Sequence, residues 1–231
     1  SLPNYINFFI VNKMALFSIS PSKIAAHFLF TCDRHLQWQM AKSNFLFAHQ
    51  IPQLQQKSNE SKLMTALTSG GFTWEMELMT TILKDKLVSV NGFTPKPRGK
   101  AFTVQDTVKA LCSVETEQWI FQSTFSVPSS FYEQYNIDRN LVQFSDCFPD
   151  LITKTEEGKL RIVDAKASAR VQLKHKIQVA MYTLMLEHIL IANNIEAEVD
   201  MEIGGVWLGG EKDSTRFNLS SILPHVRDLL Q

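Results

Sequence analysis

Apolar residues recur at helical spacing through the first half of the chain, and short aromatic and β-branched runs dominate the second half. Ser20-Pro21-Ser22, followed by Ile24, Ala25, Phe28 and Leu29, predicts a helix with Ser20 as N-cap and Pro21 at the first helical position. Residues 50–61 are polar without apolar period, which predicts a loop or a frayed helix. Gly70-Gly71 is expected to break the chain ahead of an amphipathic helix carrying Trp74, Leu78, Met79, Ile82 and Leu83 on one face. Residues 91–100, with Gly92, Pro95, Pro97 and Gly99, read as a loop, and 103–112 as a short helix.

The texture changes near residue 117. Trp119, Ile120, Phe121, Phe125 and Val127 predict a strand over 118–127. Two more strands are expected at 146–153 and 160–165, joined through the turn residues Glu156-Glu157-Gly158-Lys159. A helix over 171–193 follows, with Leu173, Ile177, Ala180, Met181, Leu184, Met185 and Ile189 as its apolar stripe. A strand over 199–208 and a closing helix over 222–230 complete the order. The pattern predicts an α/β fold with a central mixed sheet, preceded by a helical region.

A length of 231 residues suits one large domain with a sizeable core. Lys and Arg number 23 and Asp and Glu number 23, so any affinity for nucleic acid must come from a local patch. Cys32, Cys112 and Cys147 are too few and too scattered for a disulfide framework, which favours a reducing compartment. Residues 1–17 are expected to form an N-terminal tail or strand. Their apolar run is interrupted by Asn7, Asn12 and Lys13, well short of the ~18 apolar residues of a membrane span. The expectation is a soluble intracellular protein, cytoplasmic or nuclear, without a membrane partner.

Chemistry concentrates between residues 148 and 182. Asp164 and Lys166 lie two apart on a strand and so share a face. A tight turn would bring Asp150 from the preceding strand beside them. Two carboxylates and an ammonium at a sheet end suit Mg²⁺ or Mn²⁺ and a phosphate. A D-x-K triplet by itself is mostly a strand end carrying a surface ion pair; Pro149-Asp150 one hairpin earlier sharpens the pattern. Arg170, Lys174, Gln178 and Tyr182 then fall at successive i+4 steps, predicting a polar helical stripe over the site. Arg170 and Lys174 are candidates to meet phosphates. His175, between Lys174 and Lys176, reads as a solvated histidine. Trp38, Phe45 and Phe47 are read as core aromatics rather than base-stacking ones. The histidines and cysteines form no zinc pattern, and no phosphate-cradling glycine loop or nucleophile elbow is present.

Asp150, Asp164-x-Lys166, and then Gln178 and Tyr182 in the next helix resemble the PD-(D/E)XK nuclease superfamily, closest to its RecB-like branch with the CRISPR-associated exonucleases. The likeness extends upstream. Ser20-Pro21-Ser22-x-Ile24 with Cys32-Asp33-Arg34 is similar to that branch's opening helix, and Gly71-x-x-x-Glu75 to its first acidic motif. A helix leading into Trp119-Ile120-Phe121-Gln122, and a strand ending Val206-Trp207-Leu208-Gly209, also fit.

The resemblance implies a restriction-endonuclease-like core within a single domain, helical to about residue 115 and α/β beyond it. It implies that Asp150, Asp164, the carbonyl of Ala165 and Glu75 hold Mg²⁺ or Mn²⁺. Lys166 would be the catalytic lysine, with Gln178 and Tyr182 around the scissile phosphate. The implied activity is metal-dependent hydrolysis of DNA, preferring single strands or ends. A helicase or other repair domain is an implied partner. Trp74 stands where many relatives carry a histidine ligand for one metal, which argues against a second metal or full activity; no cysteine follows Cys147, so an iron–sulphur cluster is not expected. The competing expectation is a nuclease-like fold that no longer cuts and serves as a binding or interaction module.

Overall fold

The computed structural model describes residues 17–30 and 62–231. Cys32, Asp33, Arg34, Trp38, Phe45, Phe47 and the polar stretch 50–61 lie outside these residues, as does all but the last residue of the 1–17 segment. Phe17 opens a short strand, β1 (Phe17–Ile19), followed by helix α1 (Pro21–Phe30). Ser20 caps α1 through its hydroxyl, which accepts the Lys23 N–H at 3.4 Å.

Helix α2 (Lys62–Glu77) runs straight through Gly70 and Gly71, contrary to the expected break, and passes into a π-helical turn at Leu78–Ile82. Each glycine costs about 1 kcal/mol relative to alanine in a helix. Burial of Trp74, Leu78, Met79 and Leu83, at roughly 1.5–3 kcal/mol per large side chain, outweighs that cost. The apolar face read from the sequence is therefore correct, while the break is not. Helix α3 (Val104–Ser113) starts at Thr103, whose hydroxyl accepts the Asp106 N–H.

The remaining elements are β2 (Trp119–Phe121), α4 (Ser129–Gln134), β3 (Val142–Phe144), β4 (Leu151–Lys154), β5 (Leu160–Lys166), α5 (Leu173–Ala192), β6 (Ile203–Leu208), β7 (Thr215–Asn218) and α6 (Leu223–Leu230). Five strands form one mixed sheet in the order β2-β4-β5-β6-β7, and β1 pairs with β3 apart from it. Within the five-stranded sheet only the β5–β6 pair is parallel, joined by the crossover helix α5; the other pairs are antiparallel. The architecture is α/β with helices flanking a mixed sheet, consistent with a restriction-endonuclease-like core.

Several strands are shorter than the sequence suggests. β2 stops at Phe121 because Gln122 turns into the left-handed region at φ 47°. The expected 146–153 and 199–208 strands reduce to β4 and β6, since continuous ladders begin at Leu151 and Ile203 and only isolated bridges at Cys147 and Val199 precede them. α4 and β7 are additions that the sequence pattern does not predict.

β5 is buried on both faces. Leu160 and Ile162 join the α5 layer with Ile177, Met181 and Leu184, while Val163 and Ala165 join Trp74, Leu78, Phe121 and Trp207 on the α2 side. Such two-sided burial is why Ile162 and Val163 stand side by side in β5 instead of alternating with polar residues. α5 in turn is buried around most of its circumference. Its close approach to the sheet needs Gly204, where an added Cβ would lie 2.8 Å from Val179 Cγ1 and 2.7 Å from Phe217 Cζ.

Candidate active site

β5 leaves the core with Asp164, Ala165 and Lys166 at its C-terminal end. Leu151 pairs with Val163 across the hairpin, and one further step along this register sets Asp150 opposite Asp164. The turn that permits it places Gly158 in the left-handed region at φ 80°, where glycine carries no steric cost. The Lys166 carbonyl accepts from Gly209 on the β6 side. Alternation along the strand therefore points the Ala165 amide and carbonyl to the β4 side. There the Ala165 N–H donates to Asp150 Oδ2 at 3.0 Å.

Lys166 Nζ lies 2.9 Å from Asp164 Oδ1 and 3.5 Å from Asp150 Oδ2. Asp164 is 1% exposed, and its oxygens have no donor beyond the adjacent ammonium of Lys166. Burial pushes the Asp164 carboxyl well above the usual carboxylate range; Lys166 opposes the shift and Asp150 adds to it. Burial pulls the Lys166 ammonium down, but Asp164 and Asp150 outweigh it and hold the lysine above its ordinary value. The lysine is thus a fixed cation.

Glu75 on α2 is half-buried and belongs electrostatically to the same site. Burial raises its carboxyl, Asp150 adds to the rise, and Lys166 and Arg98 pull it down. On the other side, Gln178 Nε2 donates to the Tyr182 hydroxyl at 3.3 Å, and that hydroxyl donates to the Phe148 carbonyl at 3.4 Å. Burial raises the Tyr182 phenol well above its ordinary range, so it remains a neutral donor.

The expected polar stripe needs correction. Arg170 precedes α5 and is exposed, so the helical series begins at Lys174; Tyr182 is buried. His175 is also buried, contrary to its solvated reading. Its Nδ1 accepts the Gln172 N–H at 3.3 Å and helps cap α5. Burial, then the charges of Lys166 and Lys174, depress its imidazole to about 4. Cys147 is buried, with its thiol pushed up to about 12, while Cys112 is exposed.

The structure therefore unites Asp150, Asp164, Ala165 and Lys166, and brings Glu75 into their field. Among the described residues, no three His, Cys, Asp or Glu side chains form a ready-made metal cluster. The donor set nevertheless fits Mg²⁺ or Mn²⁺. Mg²⁺ is commonly held by one or two carboxylates with water completing its shell, and the orphaned Asp164 oxygens are the ligands such an ion needs. Trp74 is a buried core side chain beside Gly209, not a ligand. An open groove of about 550 Å³, lined by Gly70, Trp74, Ser168 and Gly209, adjoins this sheet end.

Two neighbours of the site carry no site role in the sequence reading. Gln122 donates its N–H to the Asp150 carbonyl at 2.8 Å, and Arg98 acts on Glu75. The strand–turn boundary after Phe121 and the Pro97-Arg98-Gly99 turn are visible locally, but not what they dock against. Comparison of the sequence with protein-family models and with curated proteins gives no match. Among the described residues, no helix is long and apolar enough to cross a membrane.

Proposed function

We propose that this chain is a Mg²⁺- or Mn²⁺-dependent deoxyribonuclease of the PD-(D/E)XK type, an intracellular DNA-processing enzyme acting on single strands or ends. The observation that carries the reading is Asp164, a buried carboxylate that meets the Lys166 ammonium at 2.9 Å and lies across the hairpin from Asp150. Retaining a buried carboxylate whose one partner is a lysine ammonium costs stability, and such costs concentrate at functional sites.

Asp150, Asp164 and the Ala165 carbonyl would hold the ion, with Glu75 reaching it directly or through water. A bound divalent ion supplies an activated water and stabilises the leaving oxygen. Lys166, held cationic by two carboxylates, would orient the attacking water and offset charge building on the phosphate. Tyr182, whose hydroxyl is spent on the Phe148 carbonyl, would position Gln178, and the second amide hydrogen of Gln178 would steady a non-bridging oxygen without adding charge. Arg170 and Lys174 would meet flanking phosphates, and a helicase or other repair domain would supply substrate.

A second reading, a nuclease-like module that binds without cutting, is favoured by Trp74 at the expected histidine. It is favoured too by the lack, among the described residues, of a third carboxylate in ligand geometry. Cleavage of end-labelled and circular single- and double-stranded DNA with Mg²⁺, Mn²⁺ or chelator separates them. Metal-dependent cutting that disappears in Asp164→Ala and Lys166→Ala supports the enzyme. Equal inertness with retained DNA binding supports the module.

A further inference from the structure

Residues 91–103 carry Lys96, Arg98 and Lys100 and no acidic side chain, in a chain of zero net charge. The three basic residues are exposed, whereas Pro95 and Pro97 between them are buried. The prolines therefore anchor the segment and the cations face outward. Lys96 O accepts the Gly99 N–H at 2.8 Å, closing a tight turn with Pro97 second and Arg98 third.

Arg98 holds φ 55°. The third position of such a turn ordinarily takes glycine or asparagine, since a larger residue is strained there. Strain of this kind persists where the side chain is needed. Here the guanidinium stacks over the Phe72 ring at 4.7 Å. Phe72 lies three residues before Glu75 on α2, hence on the same helical face. The segment's other end is tied to the site as well. Phe102 donates its N–H to the Gln122 carbonyl, and Gln122 donates to the Asp150 carbonyl. The basic turn is thus strapped to both carboxylate-bearing sides of the site.

On the Asp150 side of the site Phe148 is 54% exposed although only two residues before Asp150, with its carbonyl held by Tyr182. At the far end of α5, Glu187 on the helix and Glu196 and Glu198 in the loop after it line an open groove, which repels a polyanion. One end of the molecule is therefore suited to nucleic acid and the other is not.

We propose that a single DNA strand lies across the site with its phosphates on Lys96, Arg98 and Lys100 and an unstacked base on the Phe148 ring. This rests on the nuclease reading above and names the groups that select single strands. Phosphate contacts bind either form of DNA, but a protruding phenyl ring rewards only a base free to leave its stack.

The test is fluorescence anisotropy of a labelled oligonucleotide, single-stranded and as duplex, with the full chain in EDTA at salt from about 50 to about 200 mM. The triple variant Lys96→Gln, Arg98→Gln, Lys100→Gln should lose at least about tenfold in affinity at low salt. Its log–log salt slope should flatten by about 2, at roughly 0.7 for each phosphate no longer neutralised. Phe148→Ala should weaken single-strand binding by about 5- to 100-fold with an unchanged slope and little effect on duplex. Arg98→Gly guards against misfolding: it relieves the left-handed strain and should raise the melting temperature while lowering DNA affinity. Wild-type affinity and slope in the triple variant, or wild-type single-strand binding by Phe148→Ala, overturns the proposal while leaving the nuclease reading intact. A wild type that neither binds nor cuts DNA overturns both.

Discussion

Asp150 Oδ2 accepts the main-chain N–H of Ala165 at 3.0 Å, so a side chain of the candidate site also closes the sheet end that carries it. The carboxylate takes the place of a strand partner just beyond the start of β4. Removing the acceptor strands a backbone donor. Asp150→Ala should destabilise the fold by about 1–3 kcal/mol. Asp150→Asn keeps an acceptor oxygen and should fold nearly as well, yet lose any divalent-metal response. Urea unfolding of both variants, with and without Mn²⁺, checks this.

The raised carboxyl of Asp164 has a sign that can be read in stability. A carboxyl whose folded pKa exceeds its unfolded value loses stability as pH rises from the unfolded value through the folded one. Asp164→Asn should therefore match or exceed the metal-free wild type at neutral pH. Mn²⁺ should stabilise the wild type increasingly as pH rises and Asp164 ionises, and should not stabilise Asp164→Asn. Thermal melts across pH with metal or chelator would show a contradiction if the variant melts lower without metal or still gains from it.

His175 has the opposite dependence. Its imidazole titrates at about 4 in the fold against 6.5 ordinarily. The unfolded chain binds the proton first, so its contribution is fully present above pH 6.5 and fades as pH falls towards 4. His175→Gln should flatten the acid side of the stability profile between those limits. An unchanged profile in equilibrium unfolding from about pH 7.5 to about pH 4.5 would exclude His175 as its source.

Gly204→Ala places a methyl where Phe217 Cζ and Val179 Cγ1 would lie 2.7 and 2.8 Å away. Overpacking of this kind costs about 1–3 kcal/mol. Gly71→Ala meets nothing within 4 Å in the interior of α2, and should stabilise by about 0.5–1 kcal/mol. Opposite shifts in melting temperature are expected; a stabilised Gly204→Ala would contradict the close helix–sheet contact.

Glu75 senses Asp150 and Lys166 from another element. Glu75→Gln should leave metal-free stability near wild type and reduce Mg²⁺-dependent cleavage by at least about tenfold, as expected for a group that supports an ion. Single-turnover cleavage at saturating Mg²⁺ measures it.

By itself, the sequence determined the order of the main elements, because each carries its own period: the face Trp74, Leu78, Met79, Leu83, the hairpin 151–166 and the apolar run of α5. It also determined the pairing of Asp164 with Lys166, since residues two apart on a strand must share a face, and the approach of Asp150, since a short turn leaves little choice of register. Only the tertiary structure decided the rest. The continuity of α2 through Gly70-Gly71 depends on core burial beyond the glycines, not on local propensity. The burial of His175 depends on what packs over the start of α5. The proximity of Glu75 and Arg98 to Asp150 joins residues far apart in sequence, and no local pattern encodes contacts that exist only once α2, the basic turn and β5 meet at one sheet end.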